Sequence, residues 1–227
     1  VAHSCPTRRS SDLADVITAP SNYVLGVHAR RFALNGKGAV SPLGMQALGK
    51  VSRRHGNGGV RFTFMGRINR LKNLRVVLDA MARVAGNAQL NVWGARADAR
   101  EAQRLERAVK KDSRIRYRGA YDHENLPDIL SETDAGIVPS LTESFSMVTR
   151  EYHAAGIPVL AARAGALPEA AGKGGILFDP HDADELARIM QSMVDDPGLV
   201  KKLEAGIEPV KSMDEDARQW ERLYAQR

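Results

Sequence analysis

Two short stretches carry side chains whose types and spacing suit a charged ligand. In GRINRLKN, residues 66–73, Gly66 lets the chain turn sharply, while Arg67 and Lys72 bring two cations to the start of a helical pattern. A helix N-terminus also favours anions, so the combination suits a diphosphate. In PSLTESFSMVTREYHAAGIPV, Glu143 and Glu151 stand eight residues apart, and a helix is expected to open near Ser144 to Met147. Eight helical residues rise about 12 Å, comparable with the span from the ribose to the hexose of a nucleotide sugar. One acid would then accept hydrogen bonds from sugar hydroxyls and the other from ribose hydroxyls, with Arg67 and Lys72 on the phosphates. The plainer reading is that these are loop cations, a helix-terminal acid and a solvated helix acid. Local spacing leaves both open.

The surrounding pattern shows what must position them. ADVITAPS reads as a short strand ending at Pro20, Ser21 caps the amphipathic NYVLGVHARRFAL, and GAVSPLGM reads as a connector. From Val60 strands alternate with helices: VRFTFMG, LNVWG, RIRYRG, DAGIVPS, PVLAA and GILF as strands; LKNLRVVLDAMARVA, ADAREAQRLERAVKK, ENLPDILSE and SFSMVTREYHAA as helices. Asp182 with Glu185, and Ser212 with Glu215, have capping-box spacing before two later helices. Short strands alternating with helices predict an α/β fold, a doubly wound, Rossmann-like parallel sheet over about residues 60–193. Ligands of such sheets bind beyond the carboxyl ends of the strands, where both stretches lie.

Composition narrows the partners. The 227 residues, 43% hydrophobic and 26% charged, suit a globular chain of one complete domain plus a fragment. No apolar run approaches the roughly 18 to 20 residues of a bilayer span, which excludes a membrane-spanning reading. The lone Cys5 forms no internal disulfide or zinc site and suits a reducing compartment. A net charge of +6 favours an anionic partner, yet the basic residues are dispersed beside acids and only 5% of residues are aromatic, which argues against nucleic acid. Residues 3–13 lack hydrophobic periodicity and resemble translated sequencing-adapter read-through; a disordered leader is the alternative, and neither gives Cys5 a catalytic role.

GRINRLKN and PSLTESFSMVTREYHAAGIPVLA, followed by AGALPE and GGILFDPHDADELARI in that order, resemble the donor-binding half of family-four retaining glycosyltransferases of GT-B architecture. The Glu-x7-Glu pair, Glu143 and Glu151, is the most specific mark, and the resemblance covers about residues 14–227. It implies that Arg67 and Lys72 bind the donor diphosphate, that Glu143 contacts the donor sugar, and that Glu151 contacts the ribose. Gly66 and the backbone amides of Phe145, Ser146, Met147 and Val148 would approach the sugar and phosphates, with Tyr121 near the base. It also implies metal-independent transfer with no cofactor beyond the nucleotide diphosphate sugar.

Where the family often has glycine, this chain has Ser146 and Asn73. The acceptor-side glycine-rich loop and histidine have no counterpart, and His153 reads as a packed or surface helix residue. The implied layout is a leader (1–13), a remnant of the acceptor-side domain with its linker (14–45), a nucleotide-sugar-binding domain (46–211) and a terminal crossover helix (212–227). Gly94 reads as a turn that shapes the cleft and Glu169 as a structural or capping acid. Trp220, Leu223 and Tyr224 are expected to face the missing acceptor domain. The expected function is a truncated retaining hexosyltransferase, inactive alone, with an unknown lipid, polysaccharide or small-molecule acceptor. It would be cytoplasmic, with peripheral contact at the inner membrane face; a non-catalytic nucleotide-sugar or phosphate-binding module is the alternative.

Overall fold

A computed structural model describes residues 14–49, 51–52 and 58–225, so the leader with Cys5 lies outside the described residues. Six strands form one parallel sheet: β3 (Val60–Met65), β4 (Ala88–Trp93), β5 (Ile115–Gly119), β6 (Ala135–Val138), β7 (Val159–Ala162) and β8 (Gly175–Phe178). Their order is β5-β4-β3-β6-β7-β8. The chain builds outward from β3 to β5, then returns to the other side of β3 and continues to β8. This reversal opens a crevice between the loops that follow β3 and β6.

Helices α2 (Leu74–Met81), α3 (Ala99–Lys111), α4 (Leu126–Ser131), α5 (Met147–Ala154), α6 (Leu167–Ala171), α7 (Ala183–Asp195) and α8 (Pro197–Glu204) follow the strands or close the domain. The central strands are apolar on both faces because both are covered: Phe62, Phe64, Leu90, Val92, Ile137, Val159 and Leu160 are essentially inaccessible. Tyr152 of α5 is also fully buried and donates its hydroxyl to the Thr63 carbonyl at 2.7 Å, which fixes α5 against β3. A Cβ on Gly136 would overlap the Tyr152 ring, so β6 needs a glycine there for α5 to lie this close.

The residues before Val60 form a small unit of β1 (Ile17–Ala19), α1 (Asn22–Ala29) and β2 (Gly38–Val40), with β1 and β2 parallel and Ile17 opposite Gly38. This corrects the connector expected at residues 38–45: its first three residues are a strand, too short to show a period of two. Ser21 caps α1 as expected, accepting from the Val24 amide at 3.2 Å. The Ser212–Glu215 capping box is reciprocal and opens α9 (Met213–Ala225). Asp182 caps α7, but Glu185 turns away from the expected return bond, accepting from the Asp179 amide and pairing with Arg163 at 2.7 Å. Lys211 ties α9 to the segment after β2, donating to the Pro42 carbonyl at 2.8 Å and pairing with Asp216. Trp220 and Leu223 are half-buried and Tyr224 exposed. Among the described residues no helix is long and apolar enough to cross a membrane.

Candidate active site

Two expected helices begin later than their hydrophobic periodicity indicates. The one expected from residue 71 starts at Leu74 because Asn73 is left-handed (φ 51°), and the one expected to open near Ser144 to Met147 starts at the end of that window, at Met147, because Ser146 is left-handed (φ 64°). Side chains with a Cβ are strained there, and asparagine least so. Asn73 is further held by its amide, which donates to the Pro139 carbonyl at 3.1 Å and the Pro180 carbonyl at 2.8 Å. Ser146 compensates through its hydroxyl, which lies 2.8 Å from the Thr149 hydroxyl and accepts weakly from the Thr149 amide. Each residue turns the chain immediately before the first residue of its helix.

The loops after β3 and β6 meet at the crevice. The Leu141 amide donates to the Leu71 carbonyl at 2.9 Å, and Lys72 Nζ lies 2.6 Å from Glu143 Oε1, a partly shielded ion pair. Glu143 is held from behind as well: its carbonyl accepts from the Ala166 amide at 2.9 Å, and a Cβ on Gly165 (φ 57°) would overlap Glu143 backbone. Sequence reasoning passed over Gly165, whose role depends on a loop more than twenty residues earlier. After Glu143 the chain leads through buried Phe145 and Ser146 to exposed Met147 and half-buried Val148 at the start of α5. The first amides of a helix have no intrahelical acceptor, so they and the helix dipole favour an anion here.

Beside the Lys72–Glu143 pair lies a cavity of about 390 Å³ lined by Gly66, Arg67, Gly94, Tyr121, His123 and Glu151 among others. Four of the expected residues, Gly66, Arg67, Tyr121 and Glu151, thus share one wall system. The Lys72 stem passes near Gly66: a Cβ added there would lie 3.7 Å from its Cδ. Arg67 is exposed and makes no ion pair among the described residues. Gly94, expected as a turn, proves to be a close-approach position: a Cβ on it would overlap the Gly66 carbonyl oxygen. His123, from the loop after β5, was missed because that loop carries no pattern of its own.

Glu151 Oε2 is buried with no hydrogen-bond partner among the described residues. Burial pushes its carboxyl above the usual range, with the His123 charge opposing, and the Tyr121 phenol is pushed up to about 12 by burial and then by Glu151. A raised carboxyl in the folded state costs stability as pH rises through and above the ordinary carboxylate range, where the unfolded chain ionises more readily. Glu151→Gln should therefore melt higher than the parent at neutral pH, with the gap closing as pH falls below the carboxylate range. Urea unfolding across pH checks this, and a gap independent of pH would contradict it. His153 is packed, and burial followed by the nearby Arg150 charge lowers its imidazole to about 4.

Residues 59–196 match the family described as glycosyl transferases group 1. The chain is 35% identical over 145 residues to the D-inositol 3-phosphate glycosyltransferase of Corynebacterium kroppenstedtii, covering 59% of this chain and 32% of that protein. It is 39% identical over 83 residues, 35% of this chain and 20% of the relative, to the MMP alpha-(1->4)-mannosyltransferase of Mycolicibacterium hassiacum. Among solved structures, sucrose-phosphate synthase from Thermosynechococcus elongatus superposes with TM-score 0.79 at 26% identity over 96% of this chain and 60% of that one. HepE of Anabaena in complex with UDP-glucose gives TM-score 0.79 at 16% identity over 96% and 67%, a likeness of fold. The chain spans about a third of the first of these curated relatives. With more than half of its length matched by the family, the chain belongs to the group 1 glycosyltransferases and has the fold of GT-B donor-binding halves.

Proposed function

We propose that the crevice between the loops after β3 and β6 binds a nucleotide diphosphate sugar for retaining sugar transfer. The observation that carries this is the Lys72–Glu143 pair, 2.6 Å apart at the point where strand order reverses, beside the N-terminus of α5 and the cavity holding Arg67 and Glu151. Charge that develops on the departing diphosphate would meet Arg67, Lys72 and the amides of residues 145–148, while the sugar passes through an oxocarbenium-like state. Glu143 orients the sugar through its hydroxyls. Glu151, whose buried oxygen lacks a partner among the described residues, accepts from the ribose. The solved relative that holds UDP-glucose supports a donor of this class.

The acceptor side lies outside this cleft. The chain aligns with 32% of the first relative's length, which supports reading it as the donor-binding half, and we propose that transfer requires an acceptor-bearing domain facing the crevice. A nucleotide-sugar donor suits work in the cytoplasm, with peripheral membrane contact if the acceptor is a lipid. Calorimetric titration with UDP, GDP, ADP and their sugars tests the site directly. Glu151→Ala should weaken nucleoside diphosphate itself, whereas Glu143→Ala should spare it and remove the extra affinity contributed by the sugar. Equal loss for both ligands in Glu143→Ala would reverse the assignment of the two acids.

A further inference from the structure

The small N-terminal unit is fastened to the loop that leads into α5. The hydroxyl of Ser21, buried at 4% exposure, donates to the Ser144 carbonyl at 2.6 Å, across 123 residues of sequence. The same oxygen caps α1 by accepting from the Val24 amide. Glu169, read from sequence as a structural or capping acid, caps a helix other than its own: Oε2 accepts from the Asn22 amide at 3.1 Å and from its Nδ2 at 3.0 Å, and Oε1 accepts from the Tyr23 amide at 3.4 Å. Glu169 thereby holds the α1 N-terminus from which Ser21 reaches Ser144, and the Arg150 guanidinium lies 5.1 Å over the Phe145 ring of that same segment.

We infer that Ser21 and Glu169 are positioning residues, a clasp through which the β1–α1–β2 unit holds residues 144–148 in the orientation that meets a diphosphate. The inference rests on the donor-binding reading. A loop that carries the left-handed Ser146 persists only where its surroundings over-determine it. Gly165 and Ala166 hold one side of this loop, at Glu143; the Ser21 hydroxyl and the Arg150–Phe145 stack hold the other. Coupling is reciprocal, so a diphosphate that orders residues 144–148 also tightens the α1 N-terminus.

The test uses Ser21→Gly, Ser21→Thr and Glu169→Gln in the full chain, with amide hydrogen exchange and titration of UDP, GDP and ADP. Glycine serves nearly as well as serine at a helix N-cap but has no hydroxyl to donate, so it separates the clasp from the cap. Exchange at residues 144–148 should speed up about 2- to 12-fold in Ser21→Gly, the size of one hydrogen bond, with diphosphate affinity falling by a similar factor. Exchange in β3 should stay at the parent rate, Ser21→Thr should restore both readouts, and Glu169→Gln should reproduce the loss in part. In the parent, a bound diphosphate should slow exchange at residues 22–24. Parent-like exchange at 144–148 in Ser21→Gly, or equal acceleration in β3, would overturn the clasp. If none of the three diphosphates binds the parent, the donor-binding reading fails, and exchange in the unliganded chain still decides the clasp.

Discussion

Replacing Arg67 and Lys72 together with alanine should lower nucleoside diphosphate affinity by about 2 to 5 kcal/mol, taking about 1.5 to 3 for each charged hydrogen bond with partial additivity. Two effects add. The cations themselves are lost, and Glu143, whose side chain is only 14% exposed, is left with a carboxylate beside the phosphate position and no ammonium to balance it. Lys72→Ala alone should for that reason cost more than Arg67→Ala, because Arg67 is exposed and balances no carboxylate among the described residues. Adding Glu143→Ala to Lys72→Ala should recover part of the loss. Calorimetry on the set checks the order, and a double variant with parental affinity would remove both cations from the site.

Gly94→Ala should destabilise the domain by about 2 to 6 kcal/mol, from roughly 1 to 3 for a side chain at an unfavourable backbone conformation and 1 to 3 for overpacking. At φ 150° the added Cβ would meet the Gly66 carbonyl oxygen, so either β4 parts from the loop after β3 or Gly66 moves and carries Arg67 with it. The backbone bond from Gly66 N to the Trp93 carbonyl, 3.0 Å, ties the two loops and would be strained either way. Urea unfolding measures the loss. A variant as stable as the parent would mean that the two loops separate freely and that the cavity wall is not rigid.

Features that repeat locally were legible before the structure, and features made by distant contacts were not. All six main strands lie where the sequence pattern places them; in the central ones burial on both faces writes itself into consecutive apolar positions, whereas β5, IRYRG, buries only Ile115. The Glu143–Glu151 spacing was equally plain, since it lies within a single loop and helix. The late starts of α2 and α5 follow from Asn73 and Ser146, whose own types do not mark them as left-handed in NLRVV or SMVTR; the one hint is that the resembled family often has glycine, the residue freest to adopt positive φ, at both positions. The Lys72–Glu143 pair spans 71 residues and the Glu169–Asn22 contact 147. Neither has a local signature, and β2, at three residues, is too short for one.

A crevice that reads the diphosphate of a nucleotide sugar must tell nucleosides from their diphosphates, and the two are compared on the same chain. Titrating uridine, guanosine and adenosine beside UDP, GDP and ADP isolates the phosphates from the base. With Arg67, Lys72 and the α5 N-terminus addressing phosphate, at least one diphosphate should bind more tightly than its nucleoside by about 3 kcal/mol or more, and the difference should shrink in high salt. Equal affinity of each nucleoside and its diphosphate at low salt would mean that the crevice does not read phosphate.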